Sequence, residues 1–489
     1  MVGSLDSAPE DVLLEVFLRC SVLDILSLKQ TCRVLHAHGS NDYLWHRIVP
    51  TIRIPLEIPA DVDTGSLSGA ELQKIVIKAI RLEHNWRKPT SRITRVTPVL
   101  QGTSGVPIDE MRLLPGARWL VTAQRNRLLG RLSTTISLWC LEDVNAIYRS
   151  ARIEITGTYR DFATISHPDC SWVSLAIGMC IGNHEEIQVY RFPMLDRHDF
   201  THVLPLLVRS IPRPRDLPGV IHEVSIHGDI VATSFVVADD AVNHHHQLLL
   251  INHTTGAQRL VDPKFVERFT NFSVRLAHGQ IILVGILNQS FAMRIYDLPE
   301  TIFPGKSPSP ESQGEGLGPI AFGFNVTPIP GLSFPDFAIS DSINIPPVGR
   351  CSRFSMVAFD VRGSRAGGGH LVHFCTENMN GDGQPPSQPR VIEPRKFTVP
   401  GSTSIEVVKI GTRGHRAVWL EHDWELQKFR LMKLSAPVGH GKPSVGVLLP
   451  PDPELPFSPR ECQSLAFDEV TGRVCLGLYT GDLYILDFV

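Results

Sequence analysis

From about residue 92 to residue 489 the apolar residues recur at every second position, in short runs separated by Gly, Pro, Asn and Asp. A period of two places alternate side chains on opposite faces of an extended chain. Held over so long a stretch, it predicts a large all-β domain with few helices. Within it one unit repeats: an apolar strand, a turn, a second strand, a turn, and a third strand with a recognisable tail. The tails read ISLWCLED near 139, IQVYRFP near 190, LLLINHTTG near 250, MRIYDLP near 296, HLVHFC near 373, FRLMKL near 431 and LYILDF near 486. Intervals of roughly 45 to 75 residues suit four-stranded propeller blades with insertions better than a sandwich of about 100 residues. Seven tails predict seven blades.

The longest interval, 296 to 373, contains PGKSPSPESQGEGLGP at 304–319, which reads as a loop insertion. The last unit has three strands, around CQSLAF, GRVCLGLYT and DLYILDF, while SRITRVTPVL at 91–100 is a spare strand ahead of the first unit. Pairing the spare strand with the last unit closes the ring and leaves no open edge at the seam. The β-propeller is therefore assigned to 91–489.

Ahead of it the period is 3.6. Residues 5–50 read as a small all-α unit of three short helices. Ser7 with Glu10 has the capping-box pattern and Pro9 falls in the first turn. Val12, Leu13, Val16, Phe17 and Cys20 then recur at helical spacing, followed by LDILSLKQTCRVLHAH with Ile25, Leu26, Leu28, Cys32 and Leu35, and by Leu44, Trp45 and Ile48. So short a unit buries little, so its apolar surplus calls for a partner. Residues 51–90 are a connector and a linker helix, GAELQKIVIKAIRLEHNWRK, with Leu72, Ile75, Val76, Ala79, Leu82 and Trp86 on one stripe and Pro89 as its stop. Seven Lys or Arg against two Glu between 69 and 95 mark a solvated basic face.

A formal charge of −3 gives no global reason to seek nucleic acid or an anionic membrane. The nine cysteines form no C-x-x-C pair and read as reduced core residues. No basic and apolar leader opens the chain, and QIILVGIL at 280–287 is strand-sized, so an intracellular protein of cytoplasm or nucleus is expected. In that setting the sequons at Asn252, Asn271, Asn288 and Asn325 stay unused.

Neither G-x-S-x-G nor H-E-x-x-H nor a P-loop occurs, and the chain reads as non-enzymatic, without cofactor or metal. The most metal-like cluster, His244, His245 and His246 after Asp239 and Asp240, reads as a hairpin loop, and RGSRAGGGH at 362–370 as a hairpin tip. Two arginine-rich loops, with Arg125, Arg127 and Arg131 in one and Arg209, Arg213 and Arg215 in the other, are candidates for holding an acidic or phosphorylated peptide. Arg125, Arg127, Arg213 and Arg215 are the nominated substrate contacts. Ser307 and Ser309 precede Pro and are candidate phosphate acceptors.

Residues 8–48 resemble an F-box: PEDVLLEVF, then LDILSLKQTCRVLHAH, then YLWHRI. The pattern departs from the family at Ala8, where Leu is preferred, and at Val34, where an aromatic is common. LEHNWRK ahead of a β repeat resembles the linker helix of F-box/WD-repeat proteins, and LWC, IYD and ILD echo the WD dipeptide region, although no unit pairs Gly-His with Trp-Asp. The resemblance implies a substrate receptor: an F-box docked on a Skp-type adaptor, and through it on the cullin of an SCF-type cullin-RING ubiquitin ligase, with a degenerate WD-repeat-like propeller holding the protein substrate. The adaptor-binding residues it implies are Pro9, Glu10, Val12, Leu13, Val16, Phe17, Leu26, Leu44 and Trp45. A non-ligase propeller scaffold, with the helical piece as a packing appendage, is the alternative; a propeller hydrolase is the third reading.

Overall fold

The structure, a computed structural model, describes residues 9–489 apart from 59–61, 102–104, 129, 168, 170, 195–203, 216, 239–243, 262–268, 278, 288–289, 300–301, 303–321, 327–335, 341–342, 345–351, 361–365, 377–389, 401–402, 438–440 and 450–454. The insertion at 304–319, Ser307 and Ser309, Asp239 and Asp240, and the Ser7 side of the expected capping box all lie outside the described residues.

Helices α1 (Glu10–Arg19), α2 (Val22–Lys29), α3 (Arg33–Gly39) and α4 (Asp42–Ile48) form the N-terminal unit. That is one helix more than the sequence reading gave. Asn41 accounts for the difference: its side chain accepts from the Tyr43 amide and starts α4 as a separate element. Pro9 stands at the N-cap of α1 without a side-chain hydrogen bond. True capping boxes occur elsewhere, Ser21 with Asp24 on α2 and Ser68 with Glu71 on α5 (Gly69–Arg87).

The rest is seven antiparallel sheets. Blades 1 to 6 span 110–156, 158–212, 220–261, 269–326, 336–400 and 403–447; blade 7 combines 462–487 with Arg95–Leu100. Arg95–Leu100 pairs antiparallel with Leu483–Asp487, Val96 opposite Leu486, so the spare strand closes the ring. Each of the seven tails is the third strand of its own blade. These strands are apolar over long runs because they lie inside a sheet sandwiched between neighbouring blades: Ile136 to Cys140 are all buried.

The core is divided among the blade junctions. One apolar cluster joins blades 1 and 2 around Phe162, another blades 2 and 3 around Phe235, and so on round to blades 7 and 1 around Ile108 and Ile485. Near the axis, side chains tie the first strands of blades 2, 3 and 4 in succession: Asp161 Oδ2 accepts from the Val224 amide at 2.7 Å and Glu223 Oε2 from the Val274 amide at 2.6 Å. Ser464 Oγ donates to Ile108 O at 2.6 Å across the seam.

Two stretches differ from the sequence reading. His244–Asn252 is a strand, with His244, His245 and His246 opposite Ala238, Val237 and Val236, not a loop. Ala366–Thr376 is likewise a strand, and Gly369 lies under the Phe397 ring, where a Cβ would overlap it at 2.0 Å. The glycine run makes room for an aromatic on the adjacent strand instead of forming a hairpin tip.

Candidate docking surfaces

Antiparallel blades have two ends. Loops joining strands one to two and three to four fall at one end, and those joining two to three and one blade to the next fall at the other. Helix α5 contacts the first end. The Trp86 indole donates to Leu434 O at 2.9 Å, stacks on Phe467 with ring centres 5.5 Å apart, and meets Phe488 edge-on at 5.6 Å. Asn85 donates to Arg92 O and Phe488 O and accepts from the Arg92 amide.

Several charged side chains are enclosed there, Arg416, Lys433 and Glu469 among them. Arg416, fully buried, donates to the Glu83 carboxylate and to Glu469 O, each at 2.6 Å. Burial works to raise the Glu83 pKa, but Arg416 and Arg87 hold it below the ordinary value. Lys433 donates to Lys88 O at 2.7 Å and Ser91 Oγ at 2.6 Å; burial first, then Lys88, lowers its pKa to about 8. At its other end α5 gives Leu72 and Val76 to the core of the helical unit, and its first amide, Gly69 N, donates to Asp42 Oδ1 at 2.7 Å. A helix of 19 residues is about 28 Å long. It acts as one strut sharing both cores.

The helical unit separates the nominated adaptor residues into two sets. Leu13, Phe17, Leu44 and Trp45 are buried in its own core, packed with Ile25, Leu35 and α5. Trp45 Nε1 donates to Gly39 O at 2.9 Å, and Gly39 in turn sits beneath the Phe17 ring. Those four side chains are thus enclosed within the unit itself. Leu26 is partly buried against the same core. Pro9, Glu10, Val12 and Val16 are exposed, and with them Leu23, Val34 and Tyr43. Leu23, 61 % exposed, and Tyr43 were missed by sequence reasoning; for Leu23, its place as an apolar residue immediately before Asp24, Ile25 and Leu26 was the available signal.

At the end of the ring away from α5 lie all four nominated arginines. Blade 1 carries Arg125 and Arg127 beside its hairpin at 128–131, and Arg213 and Arg215 follow the last strand of blade 2. Their states differ. Arg125 pairs with Asp109 at 2.9 Å and lies over the Tyr159 ring; that hydrogen bond raises its pKa. Arg213 is half-buried and donates to Gly219 O. Arg127 and Arg215 are exposed. Arg209, by contrast, reaches Thr254 O of blade 3 at 2.9 Å.

The shortest Ser–His contact among the described residues joins Ser355 Oγ to His373 Nδ1 at 2.8 Å. Ser355 is buried, and burial first, then Arg395 and His415, lowers the His373 pKa to about 3. A base so weak at neutral pH does not activate a hydroxyl. Among the described residues no group of His, Cys, Asp and Glu is arranged to hold a metal, and no helix is long and apolar enough to cross a membrane.

Comparison with known proteins agrees with the helical unit. Residues 5–51 match the family model described as F-box-like. No curated protein matches the chain. The architecture is thus an N-terminal helical F-box region, a following helix and a seven-bladed β-propeller.

Proposed function

We propose that this chain is the substrate-recognition subunit of an SCF-type cullin-RING ubiquitin ligase, a receptor without catalytic residues of its own. The observation that carries the reading is an F-box-like region that keeps an apolar face open after its core is complete. F-box domains bind Skp-type adaptors. Pro9, Glu10, Val12, Val16 and Leu23 are the contacts proposed here. Enclosed polar groups along α5 support a fixed offset between that face and the propeller. The propeller end away from α5 is then the place for a protein substrate, with Arg127 and Arg215 as exposed cations. The resemblance of the blades to WD repeats belongs to the same proposal; Trp139 Nε1 donating to Thr122 Oγ1 at 3.1 Å is a third-strand tryptophan tied to a second-strand hydroxyl.

The test is co-purification of the full chain with a recombinant Skp-type adaptor. Val12→Asp with Val16→Asp is expected to abolish the complex while leaving the fold intact, because a charge at a solvent-facing site disturbs no packing. A folded wild-type chain that captures no Skp-type adaptor overturns the ligase reading.

The scaffold alternative has one observation in its favour: Leu72 and Val76 are covered by the helical unit. Deleting residues 1–50 therefore uncovers α5 under either reading, so only surface variants separate them.

A further inference from the structure

We infer that the propeller end away from α5 docks an acidic protein segment through an apolar anchor, seated against Trp424 and Leu426 of blade 6 and Tyr479 of blade 7. This deepens the receptor reading and rests on it only for what becomes of the bound protein.

Of the seven tryptophans, Trp424 alone is exposed, at 57 %. It occupies the turn between the second and third strands of blade 6. The equivalent turn of blade 7 carries Tyr479, at 59 %. Both exposed aromatics of the described propeller therefore stand on adjacent blades at one end. Leu132 and Val220 lie at that same end; the exposed leucines Leu204, Leu206 and Leu207 instead line the outer edge of blade 2.

The turns are built rather than loose. Asp423 Oδ1 accepts from the amides of Glu425 at 3.1 Å and Leu426 at 3.0 Å, and Arg430 pairs with Asp423 and Glu421 behind them. Gln427, at φ +52°, donates from its side chain to Trp424 O at 2.7 Å. The buried His422 ring stacks on Phe429 at 4.3 Å and abuts the indole at 4.2 Å. In blade 7 the Tyr479 amide donates to Glu461 O at 2.9 Å. A large aromatic held in place before binding loses little entropy on contact, and Trp, Tyr and Arg dominate interface energetics.

Charge identifies the occupant. The exposed charged residues on the described loops and strand ends of this end include Arg127, Arg131, Arg215, Lys428 and Arg460, against Glu154, Glu406, Glu425 and Glu461. That excess of exposed cations at the end carrying the exposed aromatics complements a segment whose carboxylates flank a Leu or Phe.

Fluorescence anisotropy on the full chain tests this with labelled synthetic peptides: Leu flanked by Glu, Ala flanked by Glu, Leu flanked by Lys, and a phosphoserine peptide with no apolar residue. The Glu-flanked Leu peptide is expected to bind best, to weaken with salt, and to lose about 10-fold or more with Trp424→Ala or Tyr479→Ala. Absence of binding, affinity unchanged in both variants, or preference for the phosphoserine peptide that survives Trp424→Ala overturns the inference. Adaptor co-purification run in parallel keeps the two readings apart. Lost adaptor binding with peptide binding retained sinks the ligase reading alone, and the reverse sinks this one.

Discussion

Trp86 and Trp424 mark the two ends of the same ring, and they differ in almost every physical respect. Trp86, 1 % exposed, is hydrogen-bonded, stacked on Phe467, edge-on to Phe488 and within 6 Å of the Arg416 and Lys433 charges. Trp424 rests one edge on His422 and turns the rest to solvent. The α5 end encloses Arg416 and Lys433, whereas the opposite end leaves Arg127 and Arg215 exposed. One end is organised for permanence and the other for exchange.

Substituting the two tryptophans breaks that comparison most directly. Trp86→Ala removes a fully packed indole and is expected to lower stability by about 3–5 kcal/mol, read as a fall in the urea midpoint by far-UV circular dichroism. Trp424→Ala is expected to change it by no more than about 0.5 kcal/mol. Equal losses would mean that the turn of blade 6 is a structural support, and the contrast between the ends would fall.

The ring was legible in the sequence for a definite reason. Third strands are covered on both faces by adjoining blades, so ISLWC and LYILD survive as apolar runs that count the blades. The closing strand was legible because one blade was short by one strand. The division of α1 into inner and outer residues was not. Apolar residues at 12, 13, 16 and 17 cover two adjoining helix faces, and only packing against α3 and α4 decides that 13 and 17 go inside. Nor were the enclosed charges legible, since Arg416 and Lys433 meet partners on α5 and its exit more than 300 residues away. In Trp424 the difficulty was the opposite: DWELQK reads as a polar turn, and nothing local says that its indole stays outside.

A pair of glycines sharpens the contrast between the ends. Gly472, at φ +72° on the α5 end, has Leu82 of α5 so close that a Cβ would come within 2.4 Å of its Cδ1. Gly182, at φ +62° in the blade 2 hairpin of the opposite end, has nothing within 4 Å. Both alanine variants incur the left-handed backbone cost of roughly 1–2 kcal/mol. Gly472→Ala adds the displacement of a packed leucine, for a total of about 2–4 kcal/mol by denaturant titration. If the two variants match, α5 yields without resistance and is no rigid strut.

The smallest effect expected is in pH dependence, where the α5 end again carries the signal. His373 faces Ser355, Arg395 and His415 at the junction of blades 5 and 6. Its pKa is about 3 in the folded chain, against about 6.5 when unfolded. Between those values the unfolded state holds a proton that the folded state does not, so stability rises with pH and is lost on acidification below about 6.5. His415, lowered by burial to about 4, acts in the same sense. Glu469, raised by burial to about 6, acts in the opposite sense between its ordinary value and 6, because there the folded state holds the extra proton. The single-site difference is therefore the informative quantity. His373→Gln can keep a hydrogen bond to Ser355 while removing the titration, and it is expected to flatten the stability profile by about 1.4 kcal/mol per pH unit between roughly pH 5.5 and 4.5. An unchanged slope would mean that His373 takes up its proton without unfolding. Arg395 must then be able to move aside, and the charges at this end would be less firmly enclosed than Trp86 and Arg416 indicate.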